Sequence, residues 1–400
     1  MDERSKMGKE VKTYITDKFV PEENLRPVRI LQITGGMCIG GAETMIMHLY
    51  RKINKDEIQF DFVSFAKEKC HYDEEIKRLG GRIFYVPPPQ NDNPLKFIKD
   101  IYRVVKNNGP YRAVHAHTSF NSGLALLAAR LAKVKCRVCH AHTTGSYDDK
   151  GLIRKLYFFI MRILIKLNAN KKVACSKAAG QFLFGGKSKA GKDFLLLHNA
   201  FDLIPYRNVN KEEIRALRNE LNIKDNELVI GHVGTFARQK NHVFLIKLAE
   251  TLKNRNEAFK LLLIGRGSLK SELQAMVKEK GLDEHVIFLG VQTNIPLYMH
   301  MFDVFVFPSL FEGLGIVLIE AQAAGTPCVI SNTIPAECDM DMGLIKTLDL
   351  KERTESWIDA IIEAGKIKKI PPEHTTRIIA GKGYDLDITA ETLKTVYGLA

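Results

Sequence analysis

The sequence predicts an α/β protein made of two doubly wound parallel sheets in succession. Three observations carry that expectation. Short apolar runs alternate with helical stretches from Val28 to about Leu350, the βαβ rhythm of a parallel sheet covered on both faces. Several runs end in glycine-bearing turns, at Gly35, Gly234, Gly265 and Gly313. The length, 400 residues, suits two domains of ordinary size. In such sheets ligands gather beyond the carboxyl ends of the strands, so the strand-end loops are where chemistry is expected.

Composition narrows the classes. A hydrophobic fraction of 45% is ample for two cores, and no repeat or low-complexity tract is present. The balance of 59 basic to 46 acidic residues gives a net charge of +13. That favours nucleic acid, an anionic membrane or an anionic substrate. No RNA- or DNA-binding motif is present, so no nucleic-acid partner is expected, and membrane surface and anionic substrate rank ahead. Seven cysteines, scattered and odd in number, argue for a reducing compartment. Cys136 and Cys139 form a C-x-x-C within a strand run, where residues three apart point to opposite faces, so neither metal nor redox use is expected. The N-terminus, MDERSKMGKE, is too charged for a signal peptide. No run of about 18 uncharged apolar residues predicts a membrane span. The expected location is the cytoplasm, or the periphery of the inner face of the cell membrane.

Along the first half, residues 1–27 are a charged tail with no chemistry. Val28 to Thr34 is the first strand. GGMCIGGAETMIMHLY follows, from Gly35 to Tyr50; its glycines permit positive φ and close backbone approach, and a helix is expected from Glu43. Strands are expected at Phe60–Phe65, Arg82–Val86, Ala113–His117 and Cys136–His142, with helices between them. Two strand ends carry histidines, HAHTSF (His115, His117) and HAHTTG (His140, His142). No Cys or carboxylate joins them at ligand spacing, so no metal site is expected there. A helix follows from Lys150 to Lys172. Leu152, Leu156, Phe159, Ile160, Ile163, Leu164 and Leu167 share its apolar arc, and Arg154, Lys155, Arg162 and Lys166 share the opposite one. Phe158 and Ile165 lie among those cations. Two readings stay open: a core helix with a solvated basic face, or a basic face whose exposed apolar groups meet an anionic bilayer. Val173–Ser176 and Phe194–Leu197 close this half.

After a polar connection at 203–226, Glu227–Val233 opens the second half. The loop GTFARQKN runs from Gly234 to Asn241, with Asn241 expected as a helix N-cap. Lys260–Ile264 leads to Gly265-Arg266-Gly267-Ser268 and a helix, and Val286–Leu289 is the next strand. Val304–Phe307 is a buried strand ending at Pro308. Its loop carries Glu312, Gly313, Leu314 and Gly315, and a helix from about Ile316 to Ala324 carries Glu320 and stops at Gly325. Strand, glycine loop and helix bring backbone N–H groups to a phosphate. Two carboxylates beside an anion site suit sugar hydroxyls, since each accepts from a vicinal diol. If the stretch were wholly helical they would stand about 12 Å apart, a spacing that fits the hexose and ribose ends of a nucleotide sugar. Asp339/Asp341 and Asp385/Asp387 are D-x-D pairs away from strand ends and read as surface acids.

LFEGLGIVLIEAQAAGTPCVIS and the earlier GGMCIGGAE resemble retaining glycosyltransferases of family 4, particularly the bacterial exopolysaccharide and capsular polysaccharide branch. The resemblance covers roughly Val28 to Tyr397. It implies the GT-B fold: an acceptor-side Rossmann-like domain at 28–205, a nucleotide-sugar-binding one at 206–383, and a last helix at 384–400 crossing back. It also implies transfer, with retention, of a hexose-type sugar from a nucleotide diphosphate donor, taken as UDP, to a lipid-linked or saccharide acceptor. On these motifs His142, or else His140, lies near the transferred sugar. Glu312 holds the hexose, Glu320 the ribose, and Lys240 the diphosphate. Gly40, Gly41, Gly234, Thr235, Gly265, Gly267, Gly313, Leu314 and Gly315 bring backbone to the donor. The family reads Gly-Arg after the second domain's first strand; here Thr235 follows Gly234, and Arg238 is expected to supply the missing charge. With these cations no metal or cofactor is required. The rival readings are a nucleotide-sugar epimerase on the same fold and a catalytically silent, membrane-associated partner protein.

Overall fold

The computed structural model describes residues 27–89, 93–144 and 151–399. The N-terminal tail up to residue 26 and the positions Gly145 and Lys150 lie outside the described residues. The first sheet contains β1 (Val28–Thr34), β2 (Ile58–Ser64), β3 (Ile83–Tyr85), β4 (Ala113–Ala116), β5 (Cys136–Ala141), β6 (Lys171–Ala174) and β7 (Leu195–Leu196). Its order is β3-β2-β1-β4-β5-β6-β7, and its strand pairs are parallel. The second contains β8 (Leu228–Val233), β9 (Phe259–Ile264), β10 (Val286–Gly290), β11 (Val304–Phe307), β12 (Cys328–Ser331) and β13 (Ile345–Leu348), in the order β10-β9-β8-β11-β12-β13, again parallel. Every residue of β2 is buried, as a strand covered by helices on both faces requires. Each order reverses once, between β1 and β4 and between β8 and β11. These switch points leave a crevice at the carboxyl ends, and the two crevices face each other.

The helix Leu386–Tyr397 packs on the first domain. Asp385 caps it, accepting from Asp387 N and Ile388 N at 2.9 and 3.1 Å. Ala390, Leu393, Val396 and Tyr397 enter the core built by Met45, Ile46 and Phe60. Lys52 Nζ meets Asp387 at 2.7 Å, and Arg112 Nε donates to Tyr397 O at 3.0 Å. Asp341 pairs with Lys382. Three of the four D-x-D acids therefore act as a cap or as ion-pair partners.

Three local expectations change. Asn241 occupies the N-cap position of its helix with φ 56°, but its side chain makes no capping bond; its Nδ2 donates instead to Pro308 O at 3.1 Å, because the end of β11 presents that carbonyl alongside. Cys38 and Cys70 form a disulfide with a Cα–Cα distance of 4.7 Å, while Cys136, Cys139, Cys175, Cys328 and Cys338 are free. The loops after β1 and β2 come together only because those strands are neighbours. Cys136 and Cys139 do point into different cores.

The third change concerns the helix Leu152–Asn168. Phe158, Met161 and Ile165 are buried, whereas Leu152, Ile153, Leu156, Phe159, Ile160, Ile163 and Leu167 are exposed. The two arginines of the basic arc turn inward because the structure satisfies them there, while Lys155 and Lys166 stay exposed. Phe158 stacks on Phe120 at 4.1 Å, the Arg162 guanidinium lies 5.3 Å over Phe120, and Arg162 Nη2 donates to Phe182 O at 2.8 Å. The Arg154 guanidinium lies 5.0 Å over Phe158. Phe158 and Ile165 are therefore not exposed apolar groups. Among the described residues no helix is long and apolar enough to cross a membrane.

Candidate active site

A cleft of about 910 Å³ separates the two sets of strand ends. Its lining includes Gly40, Gly41, His142, Gly234, Thr235, Lys240, Gly265, Glu312, Gly313, Leu314, Gly315 and Glu320. It also includes residues that sequence reasoning did not select: His48, Arg51, Tyr206, Arg266 and Asn294.

The loop after β11 is held tightly. Ser331 Oγ and Thr333 Oγ1 both donate to Ser309 O, at 2.7 and 2.6 Å, and Gln239 Nε2 donates to Phe311 O at 2.9 Å. Glu312 follows and is only 6% exposed. Its Oε1 accepts from Lys240 Nζ at 2.5 Å, and the ammonium lies 4.8 Å from the Phe307 ring centroid. Each charge is the other's compensation in a nearly dry site. Glu312 precedes the helix Ile316–Ala323, and Gly315 at the helix N-cap has φ 77°. The Glu312–Glu320 spacing is therefore set by a loop and an ion pair, not by helical rise, and the helical estimate does not apply.

The two domains touch at Gly313. A Cβ there would stand 1.8 Å from His142 O. Ser176 Oγ donates to Gly313 O at 2.5 Å, and Thr144 Oγ1 donates to Glu312 O. Gly267 does not line the cleft; a Cβ on it would stand 2.3 Å from Phe236 O, so its missing side chain serves loop packing. Gly265 does both: it lines the cleft, and a Cβ would lie 2.0 Å from Gly234 O.

Arg238 is exposed and does not line the cleft. It opens the 3-10 turn Arg238–Lys240, whose residues fan out at about 120° per position. Gln239 and Lys240 take the two inward directions, which carries Arg238 outward. Arg266, between the two glycines of the next loop, lines the cleft instead. The Gly265-Arg266-Gly267 turn was the available signal for it.

Glu320 is half-buried at the cleft wall, where desolvation pushes its carboxyl up to about 7; the Tyr206 hydroxyl bonds to it. Burial pushes Glu43 up to about 7 as well, directly behind Gly40, where a Cβ would meet Glu43 Oε2 at 2.5 Å. In the free protein the Glu320 shift costs stability as pH rises from about 4.5 to 7, because folding must hold a proton that the unfolded chain has released. A diol donating to the carboxylate favours its charged form, so ligand binding must release that proton below pH 7. Affinity for a UDP-sugar, whose diphosphate does not titrate in this range, is expected to be about a hundredfold weaker at pH 5 than at pH 8. Glu320→Gln should flatten that profile. Equal affinities at the two pH values, measured by calorimetry, would remove Glu320 as the diol acceptor.

The histidines form a buried cluster. His142 lines the cleft; His140 is fully buried behind it. Gln32 Nε2 donates to the Tyr397 hydroxyl at 3.2 Å, so Gln32 Oε1 accepts from His117 Nε2 at 2.9 Å. A neutral His117 then accepts at Nδ1 from His142 Nε2, 2.8 Å away, leaving His142 Nδ1 with its lone pair. Burial depresses His142 to about 3 and His117 well below the usual range, so both are neutral. The Tyr397 hydroxyl completes the chain with His115 Nδ1 at 2.8 Å. The last helix thus fixes, through three side chains, which nitrogen of His142 accepts. Tyr397→Phe leaves Gln32 Nε2 and His115 Nδ1 unpartnered, and a loss of about 1–3 kcal/mol in denaturant-derived stability is expected; an unchanged midpoint would show the chain to be energetically idle. Ligand atoms of His115, His117 and His140 all lie within 4.8 Å of one another. Strand pairing creates this proximity. Both His117 nitrogens and His115 Nδ1 are committed to hydrogen bonds, whereas His115 Nε2 and both nitrogens of His140 are buried without a partner.

Two family models match the chain: "Glycosyltransferase Family 4" over residues 39–202 and "Glycosyl transferases group 1" over 213–340. The chain is 42% identical to the Bacillus subtilis (strain 168) protein named "Putative glycosyltransferase EpsF", over 93% of this chain and 97% of that one. It is 27% identical to an Escherichia coli "UDP-Gal:alpha-D-GlcNAc-diphosphoundecaprenol alpha-1,3-galactosyltransferase", over 85% and 89% respectively. The structure of Anabaena Alr3699/HepE with UDP and glucose superposes with a TM-score of 0.75 at 20% identity, covering 93% of this chain and 100% of that one. Sheet order, facing crevices and whole-length sequence identity agree: the chain belongs to the family 4 glycosyltransferases and has the GT-B fold.

Proposed function

We propose that the protein moves a hexose-type sugar, with retention, from a UDP-sugar to a lipid-linked or saccharide acceptor in cell-surface polysaccharide synthesis, working in the cytoplasm at the inner membrane face. One observation carries the reading. The loop and helix that follow β11 place a lysine-paired carboxylate at one position in the cleft and, at another, a carboxyl that burial pushes up to about 7. Backbone N–H groups of the helix N-terminus lie between them. Relatives named for transfer to diphosphoundecaprenol-linked sugars, and structural neighbours solved with UDP or UDP-glucose, support the donor and acceptor classes.

The proposed chemistry follows from the side chains. A double-displacement mechanism needs a free carboxylate nucleophile; Glu312 is instead bound to Lys240. The leaving phosphate would depart on the face the acceptor approaches and take the acceptor proton. Lys240, Arg266 and the helix N-terminus would stabilise the charge developing there. His142 Nδ1 would accept from a sugar hydroxyl. No metal or other cofactor is required by this scheme.

The test is incubation with a panel of labelled nucleotide sugars and lipid-linked acceptors, followed by assignment of the product anomer by NMR. Acceptor-dependent transfer from a UDP-sugar with retained configuration is expected. Release of an altered sugar without acceptor would establish an epimerase instead. An inverted product would overturn the mechanism.

A further inference from the structure

The helix Leu152–Asn168 is apolar on two opposite sides, and only one of them is used by the fold. Phe158, Met161 and Ile165 fill the core. The other side leaves Leu152 at 86% and Ile153 at 88% exposed, with Leu156, Phe159, Ile160, Ile163 and Leu167 continuing the stripe. At 100° per residue these seven occupy an arc about 120° wide, along a helix about 25 Å long. Nothing within the described fold covers them. The exposed Lys155 and Lys166 flank one edge of the arc. The stretch from Gly151 to Lys192 carries ten Lys or Arg residues and no Asp or Glu.

We propose that this stripe is a monotopic docking face that lies on an anionic bilayer, apolar side chains inserted at the boundary between headgroups and acyl chains and the cations against the phosphates. The charge pattern selects the occupant. A second copy of the chain meeting this face would bring two all-basic rims together, whereas an anionic lipid surface complements them. The helix also runs down from the cleft. Its N-terminal half packs on the turn after β4, through the Phe120–Phe158 stack and Tyr157 Oη donating to Asn121 Oδ1 at 2.5 Å. Near its other end, Arg137 at the start of β5 donates to Asn168 O at 2.6 Å. The stripe therefore begins beside the loops where His117 and His142 stand, on the acceptor side. A lipid-linked acceptor would enter there from the bilayer; that clause rests on the transferase reading, while the docking does not.

The experiment is co-sedimentation of the full chain with vesicles of phosphatidylcholine containing phosphatidylglycerol, and with vesicles of phosphatidylcholine alone. Strong binding to the first and weak binding to the second is expected. Ile153→Ser/Phe159→Ser/Ile163→Ser should lower the partition coefficient at least about tenfold at both low and high salt, since it removes inserted surface. Lys155→Glu/Lys166→Glu should lower it mainly at low salt. All the altered residues are exposed, and UDP binding measured by calorimetry should be unchanged; this separates a failed docking face from a failed donor site. Equal pelleting of the serine variant and wild type would overturn the proposal. So would a wild-type dimer in sedimentation velocity that the serine variant dissolves, with no vesicle binding by either protein.

Discussion

Replacing Lys240 with methionine is expected to lower sugar transfer by at least about a thousandfold, the largest loss for a single substitution here. The ammonium has two tasks. It neutralises Glu312, 2.5 Å away with both side chains largely buried, and on the proposed mechanism it would be the inner-loop cation facing the donor phosphates. Losing a positioned charge that stabilises a developing anion costs roughly a hundredfold to a thousandfold. Breaking a buried ion pair from one side adds about 3–5 kcal/mol, because the remaining carboxylate must stay unpaired or take up a proton. A double variant separates the tasks. Lys240→Met/Glu312→Gln should recover most of the stability lost by Lys240→Met and recover none of the transfer. If the single variant keeps a turnover within tenfold of wild type, Lys240 is structural only, and Arg266 must carry the phosphate charge.

Gly313→Ala should lower turnover about a hundredfold while leaving UDP affinity within a few-fold. The backbone here is not in the left-handed region, so the added methyl is opposed by contact alone. It would land 1.8 Å from His142 O, and a carbonyl at the end of a sheet strand cannot rotate aside as a flexible side chain can. The domains must separate, breaking the Ser176–Gly313 and Thr144–Glu312 hydrogen bonds and pulling His142 away from Glu312. A displacement of about 1 Å is enough for such a loss. On the proposed reading Glu320, Tyr206 and the loop at Gly265 and Arg266 would hold the nucleotide; none of them takes part in that contact, so nucleotide binding should persist. Parallel losses of affinity and turnover would show instead that the whole cleft had collapsed.

The site was legible in the sequence wherever its geometry is local. The strand, glycine loop and helix around Glu312 and Glu320 are one continuous segment, and hydrophobic periodicity with glycine placement defines its course. The same holds for the Gly40–Gly41 turn and for both parallel sheets, since each buried strand is a short apolar run. The helix from Leu152 is the instructive failure. Its apolar residues are spread around most of the circumference, so periodicity offers two candidate inner faces, and the cations make the wrong one look solvated. What decides between them is Phe120 and Phe182, contributed by other elements: they give Arg162 an aromatic face and a carbonyl on the inside, and Phe120 stacks on Phe158, the ring over which Arg154 lies.

The chain's own order of residues determined the two α/β domains, the positions of the strand-end loops, the presence of Lys240, Glu312 and His142 on them, and that of Glu320 on the helix after the Glu312 loop. Only the tertiary structure decided which of those side chains meet. Arg266 lines the cleft in place of Arg238 because neighbouring loops are aimed by sheet pairing, not by their own composition. Cys38 reaches Cys70, and His142 is tied through His117 and Gln32 to Tyr397, across separations in the chain that no local pattern encodes. Those contacts follow from strand order and from the last helix folding back, and each depends on residues that are distant until the sheets have formed.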